Sequence, residues 1–306
     1  MTTYIIRRLL QLIPVLIGVS ILVFSLMHLT PGNPALILAG EHAPPETIRA
    51  IEKRLGLDQP LHIQYFDFLK NAVQLEFGTS MRDRLPVIDH IKPRIGTTIA
   101  LAIYSTIFSI FFGLIIGIIS AVRKYSFSDI SLMIIALFGL SMPNFWLGII
   151  LIQFFSLKLG WFPPSGWGEL SQIVMPVITL GTAGAAIIAR MTRSSMLEVI
   201  SQDYIRTARA KGVSERIVIY RHALKNALIP VVTIVGLQFG GLLAGTVLTE
   251  SVFAINGMGK LVVDSITARD FPIVQACVLI IAVIFVFVNL IVDITYRVLN
   301  KRIELD

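Results

Sequence analysis

The chain has 306 residues, 55% of them hydrophobic and 15% charged, with a formal net charge of +7 and a mean hydropathy of +0.79. An average soluble domain carries roughly 25% charged residues, so this composition excludes a water-soluble globular protein. Uncharged runs of the roughly 20 residues needed to cross about 30 Å of hydrocarbon recur six times, and six such runs leave too little polar surface to dissolve the rest.

In chain order, no charge appears between Arg8 and Glu41. The apolar run from Leu9 to Leu29 is longer than a signal-peptide core, and no small-x-small cleavage site precedes Pro31-Gly32-Asn33-Pro34. Residues 1–29 are therefore expected to persist as a membrane helix. Residues 30–94 hold eight basic and eight acidic residues, a balance that suits a small folded cap outside the membrane. Within it Pro44-Pro45-Glu46 opens a helix with Ile48, Ile51 and Leu55 on one face and Gly56 as its stop, and a second helix runs from Leu61 to Glu76. The remaining core, residues 95–298, contributes five further spans at 95–122, 130–157, 170–189, 226–249 and 271–292, with a basic loop at 190–225 and a short tail at 299–306. Pro143-Asn144 and Pro176 are candidate kinks within the third and fourth windows.

Lysines and arginines in short loops mark the cytoplasmic side. With the N-terminus inside, fifteen basic residues fall in cytoplasmic segments, eight of them between Arg190 and Lys225. Only Lys158, Lys260 and Arg269 fall in the short outer loops. The expected fold is thus all-α, with six transmembrane helices, both termini cytoplasmic and the cap outside between helices 1 and 2. The net positive charge follows from this sidedness, and nothing calls for nucleic acid.

Catalytic chemistry is sparse. The five histidines are scattered, with no HExxH pair and no Cys/His cluster to hold a metal. Cys277 stands alone in the last window and reads as a small hydrophobe. Asn256-Gly257-Met258-Gly259-Lys260 imitates a phosphate loop, but Ala254 occupies the first glycine position and Leu261 follows the lysine where Ser or Thr is required. No acidic residue lies deep in any window, which argues against an aspartyl intramembrane protease and an ion-driven secondary transporter. The expectation is a chain that is not an enzyme and binds no cofactor itself.

The basic loop is more informative. Asp203 to Lys211 are good helix formers, Gly212 is a terminator that tolerates positive φ, and Ser214 is placed to cap a second helix with Glu215 in its first turn. Tyr204 and Ala208 share a face at i, i+4 spacing, with Arg206, Arg209 and Lys211 around them. Such a stub is a docking element or an amphipathic linker on anionic headgroups.

The stretch ARMTRSSMLEVISQDYIRTARAKG, followed by RHALKNALIPVVT, resembles the coupling loop of ABC importer permeases, specifically the dipeptide, oligopeptide, nickel and glutathione branch. In that branch Arg-Thr-Ala commonly replaces Glu-Ala-Ala. Registered on Gly212, the pattern places Arg206, Thr207 and Ala208 at those three positions. His222, Leu224 and Lys225 stand at its Ile-x-Leu-Pro, so the general pattern is matched only at Ala208, Gly212 and Leu224. The opening RRLLQLIPVLIGVSILVF with HLTPGNP, and the late segment LLAGTVLTESVFAINGMGKLVVDSITARDFPIVQA, resemble the same branch. The resemblance implies a type I importer permease in a bacterial plasma (inner) membrane. It implies pairing with a second, different permease, two cytoplasmic ATPase subunits that hold ATP and Mg, and an external solute-binding protein. It further implies that Asp203, Tyr204, Arg206, Thr207, Ala208, Arg209, Ala210, Lys211, Gly212 and Glu215 form the ATPase-coupling site. The implied cargo is a short peptide, with nickel or a metal chelate and glutathione as alternatives, and a membrane scaffold remains a rival reading. In the spans, Gln238, Thr246, Asn144 and Asn289 are candidates for the translocation path. Gly236/Gly240 and Gly241/Gly245, each four apart, are candidates for close helix packing.

Overall fold

The computed structural model describes residues 2–29, 34–40 and 43–299, and among these it is helical apart from loops and one isolated antiparallel bridge between Thr79 and Pro86. The expected tail beyond residue 299, with Lys301 and Arg302, and the turn at residues 30–33 lie outside the described residues. In order the helices are α1 (Thr2–Leu29), α2 (Pro34–Ala39), α3 (Pro45–Arg54), α4 (Leu61–Val73), α5 (Val87–Val122), α6 (Phe127–Ser141) and α7 (Asn144–Leu151). There follow α8 (Leu170–Ile200), α9 (Asp203–Ala210), α10 (Glu215–Ile217), α11 (Leu224–Val252), α12 (Met258–Thr267) and α13 (Phe271–Leu299). Two wider-wound π-helical stretches, Ile152–Lys158 and Val218–Ala223, extend α7 and join α10 to α11. Among the described residues five helices are long and apolar enough to cross a membrane, and six spans result if the bent pair α6 and α7 counts as one.

That pair corrects the third expected span. Residues 130–157 do not form one rod, because the axes of Phe127–Ser141 and Asn144–Lys158 meet at 105°. Pro143 offers no N–H and forces its predecessor out of the α region. Met142 accordingly sits at φ −77°, ψ 126° and closes α6, while Pro143 is the N-cap of α7. At 1.5 Å per residue the 15 residues of α6 span about 22 Å, short of the hydrocarbon core. Pro176 does not end its helix, and α8 runs through it. Two boundaries move as well. α5 begins inside the expected cap, and α8 continues eleven residues into the expected loop at 190–225.

The chain divides into two compact units. In the unit made of residues up to 96 and 257–286, α1 packs on α4. A core of Val87, Ile91, Met258, Leu261, Ile273, Ala276 and Cys277 joins the start of α5 to α12 and α13, with Cys277 fully buried. The hairpin around the Thr79–Pro86 bridge is tied to this core by Asp270. Its buried carboxylate accepts from the Ser80 hydroxyl at 2.5 Å and from the Met81 N–H at 3.1 Å.

In the unit made of residues 97–256 and 287 onwards, α8 is the central helix, packed against α6, α7 and α11. The close seam is between α5 and α8. A Cβ on Gly113 would lie 2.7 Å from Ile188 Cβ, one on Gly117 2.5 Å from Thr192 Cβ, and one on Gly181 2.9 Å from the Ser105 carbonyl. Backbones this close let the Ser109 hydroxyl donate across to the Gly181 carbonyl at 2.7 Å. Small residues four apart serve this purpose where helices meet without a hydrophobic driving force.

The expected packing glycines on α11 behave unequally. Gly236 is buried, and a Cβ there would collide with Val292 of α13. Gly240 is buried. A Cβ on Gly245 would come to 3.3 Å from Leu180 of α8, whereas one on exposed Gly241 would meet nothing within 4 Å. Of the pair Gly241/Gly245, only Gly245 approaches another helix among the described residues.

Candidate functional site

The basic loop folds into a helix, a glycine turn and a rising helix. α9 occupies Asp203–Ala210, Lys211 is its C-cap, and Gly212 takes φ +76°. With no neighbouring atom within 4 Å of a Cβ at Gly212, the demand for glycine is conformational alone. Ser214 stands at the next N-cap position, but its hydroxyl makes no capping bond, and its carbonyl accepts from Ile217 and Val218 instead. Glu215 pairs backwards across the turn: Arg209 donates to it through Nε at 3.0 Å and through Nη2 at 2.7 Å, a bidentate clamp over Gly212. The Glu215 carboxylate in turn holds the Arg209 guanidinium above its ordinary pKa.

The anchor of α9 is Ile205, which the sequence reading passed over. It is completely buried among Ala121, Met196, Val218, Ile219, Ala223 and Ala227, with Ala208 half-buried beside it. The inward face is thus Ile205 and Ala208. The signal was present as i, i+3 apolar spacing in an otherwise polar octapeptide. Burying an isoleucine is worth roughly 1.5–3 kcal/mol, which suffices to hold so short a helix against the ends of α5 and α8. Tyr204 is 43% exposed, and its hydroxyl accepts from Asn226 Nδ2 at 2.7 Å, bracing α9 against the start of α11. Asp203, Arg206, Thr207, Arg209, Ala210 and Lys211 all face outward.

A second guanidinium–carboxylate pair locks α6 to α8. Arg193 donates to Asp129 through Nε at 2.7 Å and Nη2 at 2.8 Å, and the Tyr125 N–H adds a third bond at 3.0 Å. Sequence inspection did not find it, because the partners are 64 positions apart.

The candidates for a translocation path are spread over α7, α11 and α13. Thr246 is fully buried on α11, Gln238 is half-buried with its Nε2 lacking a partner among the described residues, and Asn144 and Asn289 are half-buried on α7 and α13. Glu250, fully buried near the end of α11, accepts from the Thr98 hydroxyl of α5 at 2.6 Å. Among the described residues no group of three or more His, Cys, Asp and Glu side chains is placed to hold a metal.

Five helices long and apolar enough to cross a membrane, or six spans with the bent pair counted as one, define a multi-pass membrane component among the described residues. More particularly, the chain belongs to the family of binding-protein-dependent transport system inner membrane components, whose pattern matches residues 113–305, with the N-terminal pattern of such components at residues 1–102. It is similar to the glutathione transport system permease protein GsiC of Escherichia coli (strain K12), 48% identical over 304 residues and covering 99% of each chain. It is similar also to the dipeptide transport system permease protein DppB of Alkalihalophilus pseudofirmus, 45% identical over 332 residues and covering 99% of this chain and 100% of that one. Among solved structures, the inward-facing MetNI methionine ABC transporter aligns over 70% of this chain and 97% of that chain, with a TM-score of 0.60 at 21% identity, a likeness of fold.

Proposed function

We propose that this chain is the permease subunit of an ATP-driven importer that carries short peptides, with glutathione, itself a tripeptide, the first cargo to test. The full-length similarity to permeases of glutathione and dipeptide systems carries this reading. In it the chain lies in a bacterial plasma membrane with both termini cytoplasmic and residues 30–94 outside. It pairs with a second permease, and an external binding protein delivers the solute. Two cytoplasmic ATPase subunits hold ATP and Mg, and this chain contributes no catalytic group.

Mechanistically, the elbow is the handle. The outward residues of α9, Asp203, Arg206, Thr207, Arg209, Ala210 and Lys211, enter a groove of the ATPase. Movement of that groove is transmitted because Ile205 and the Tyr204–Asn226 bond tie α9 to α8 and α11. Gln238, Thr246, Asn144 and Asn289 are proposed to border the solute path, and Gly236, Gly240 and Gly245 to keep α11 close to its neighbours.

The test is ATP-dependent uptake by the complete complex in proteoliposomes, with glutathione, a dipeptide and nickel supplied in turn together with the binding protein. Uptake of glutathione or the dipeptide that Gly212→Asp abolishes while ATP hydrolysis continues supports the reading. Uptake of nickel alone would overturn the cargo, and normal peptide uptake by Gly212→Asp would overturn the role of the elbow.

A further inference from the structure

Within the unit of residues up to 96 and 257–286, a cavity of about 720 Å³ opens between α1, α4, the start of α5 and α13. Its walls are apolar, among them Ile17, Ala72, Phe77, Ile88 and Val283. Two polar side chains reach it. Ser20 is already satisfied, its hydroxyl bonded to the Ile17 carbonyl and to the Tyr65 hydroxyl, each at 2.8 Å. Lys92 is exposed and forms no ion pair among the described residues.

An apolar cavity does not hold water stably, and α1, α5 and α13, three of the helices that line this one, are each long and apolar enough to span lipid. Its rim is apolar as well, with Val73 85% and Leu75 56% exposed, so the surroundings that suit it are hydrocarbon. The volume lies within the roughly 300–1,000 Å³ of small-molecule sites. Lys92 shares a helical face with Ile88 and Ile95 and stands three residues ahead of the uncharged run that starts at Ile95, with Arg94 between them. A cation at the end of an apolar run lies at headgroup depth, where it attracts anionic lipid.

We propose that this cavity is a binding site for an anionic phospholipid, with an acyl chain along the apolar walls and the headgroup phosphate on Lys92. The surrounding bilayer is as apolar as the walls, so burial alone does not select the occupant. Shape holds the chain and charge selects the headgroup.

The experiment uses the complete complex in phosphatidylcholine vesicles containing a trace of phosphatidylglycerol with a photoreactive diazirine in its acyl chain. The same diazirine chain on phosphatidylcholine serves as the uncharged control. After irradiation, labelled positions are mapped by mass spectrometry. The expected result is labelling of α4 and α13 around Ala72 and Val283, reduced about fivefold by Lys92→Gln, with the control labelling weakly and equally in both proteins. A folded Ala72→Trp protein, its cavity filled, should lose the label. Labelling unchanged in Lys92→Gln, equal labelling by the two headgroups, or no labelling of the intact complex because a partner subunit fills the cavity would each overturn the proposal. Since Lys92 is exposed, its variant remains informative even where Ala72→Trp fails to fold.

Discussion

Two guanidinium–carboxylate pairs of nearly identical geometry do different work in this permease. Arg193 and Asp129 bridge α6 to α8 with side chains 26% and 3% exposed, whereas Arg209 and Glu215 clamp the Gly212 turn at 39% and 58% exposed. Coulomb attraction grows as water is removed, but so does the cost of stripping each ion. The buried pair is therefore costly to break from one side and replaceable as a whole. The exposed pair is cheap either way, and its geometry orders a turn that other groups hold in place.

The strongest way to break the contrast is Asp129→Ala, which leaves Arg193 without its counter-ion. A loss of about 3 kcal/mol is expected, at the lower end for buried pairs because Arg193 keeps some access to water, read as a lowered midpoint in denaturant titration of the detergent-solubilised protein. The double change Asp129→Leu with Arg193→Met should recover most of it, and a double variant no more stable than the single one would contradict the argument. Ile205→Ala tests what truly fastens the elbow. A cost of about 2–3 kcal/mol, localised as faster amide exchange in α9, is expected, together with impaired coupling of ATP hydrolysis to uptake. Glycine substitutions sharpen the comparison further. Gly117→Ala forces a methyl against Thr192 and should cost about 1–3 kcal/mol by overpacking. Gly212→Ala meets no atom and should cost only the roughly 1–2 kcal/mol of a left-handed alanine, with Gly212→Asn milder still. Smallest of all, Arg209→Ala should change stability by less than about 1 kcal/mol, with any larger effect appearing in ATPase docking and not in unfolding.

Much of this was legible in the sequence because its signals are local. Charge-free windows mark apolar helices, and Gly212 marks a left-handed turn without any knowledge of the rest of the chain. What escaped depends on pairing between distant segments. The seam of Gly113, Gly117 and Gly181 could not be preferred over the glycines of α11, since helical spacing alone does not say which face meets another helix. Nothing local marks Asp129 as the partner that α8 supplies with Arg193, and nothing local marks Asp270 as the residue that binds the hairpin at Ser80. The break at Met142–Pro143 was visible as a proline, but a proline inside an apolar run permits a bend without fixing its size, as the uninterrupted passage of α8 through Pro176 demonstrates.

The stretch Val218–Ala223 sets a phase. A π-helical turn accommodates one residue more than an α-helical one, and each residue of an α-helix advances the azimuth by about 100°. This short segment therefore fixes the angle at which every side chain of α11 faces relative to the elbow, much as the offset between two gears fixes which teeth meet. The joint should tolerate substitution far better than a change of length. Removing a single residue there would rotate Gln238, Thr246 and Glu250 together away from their present neighbours while leaving α9 and its exposed surface unaltered.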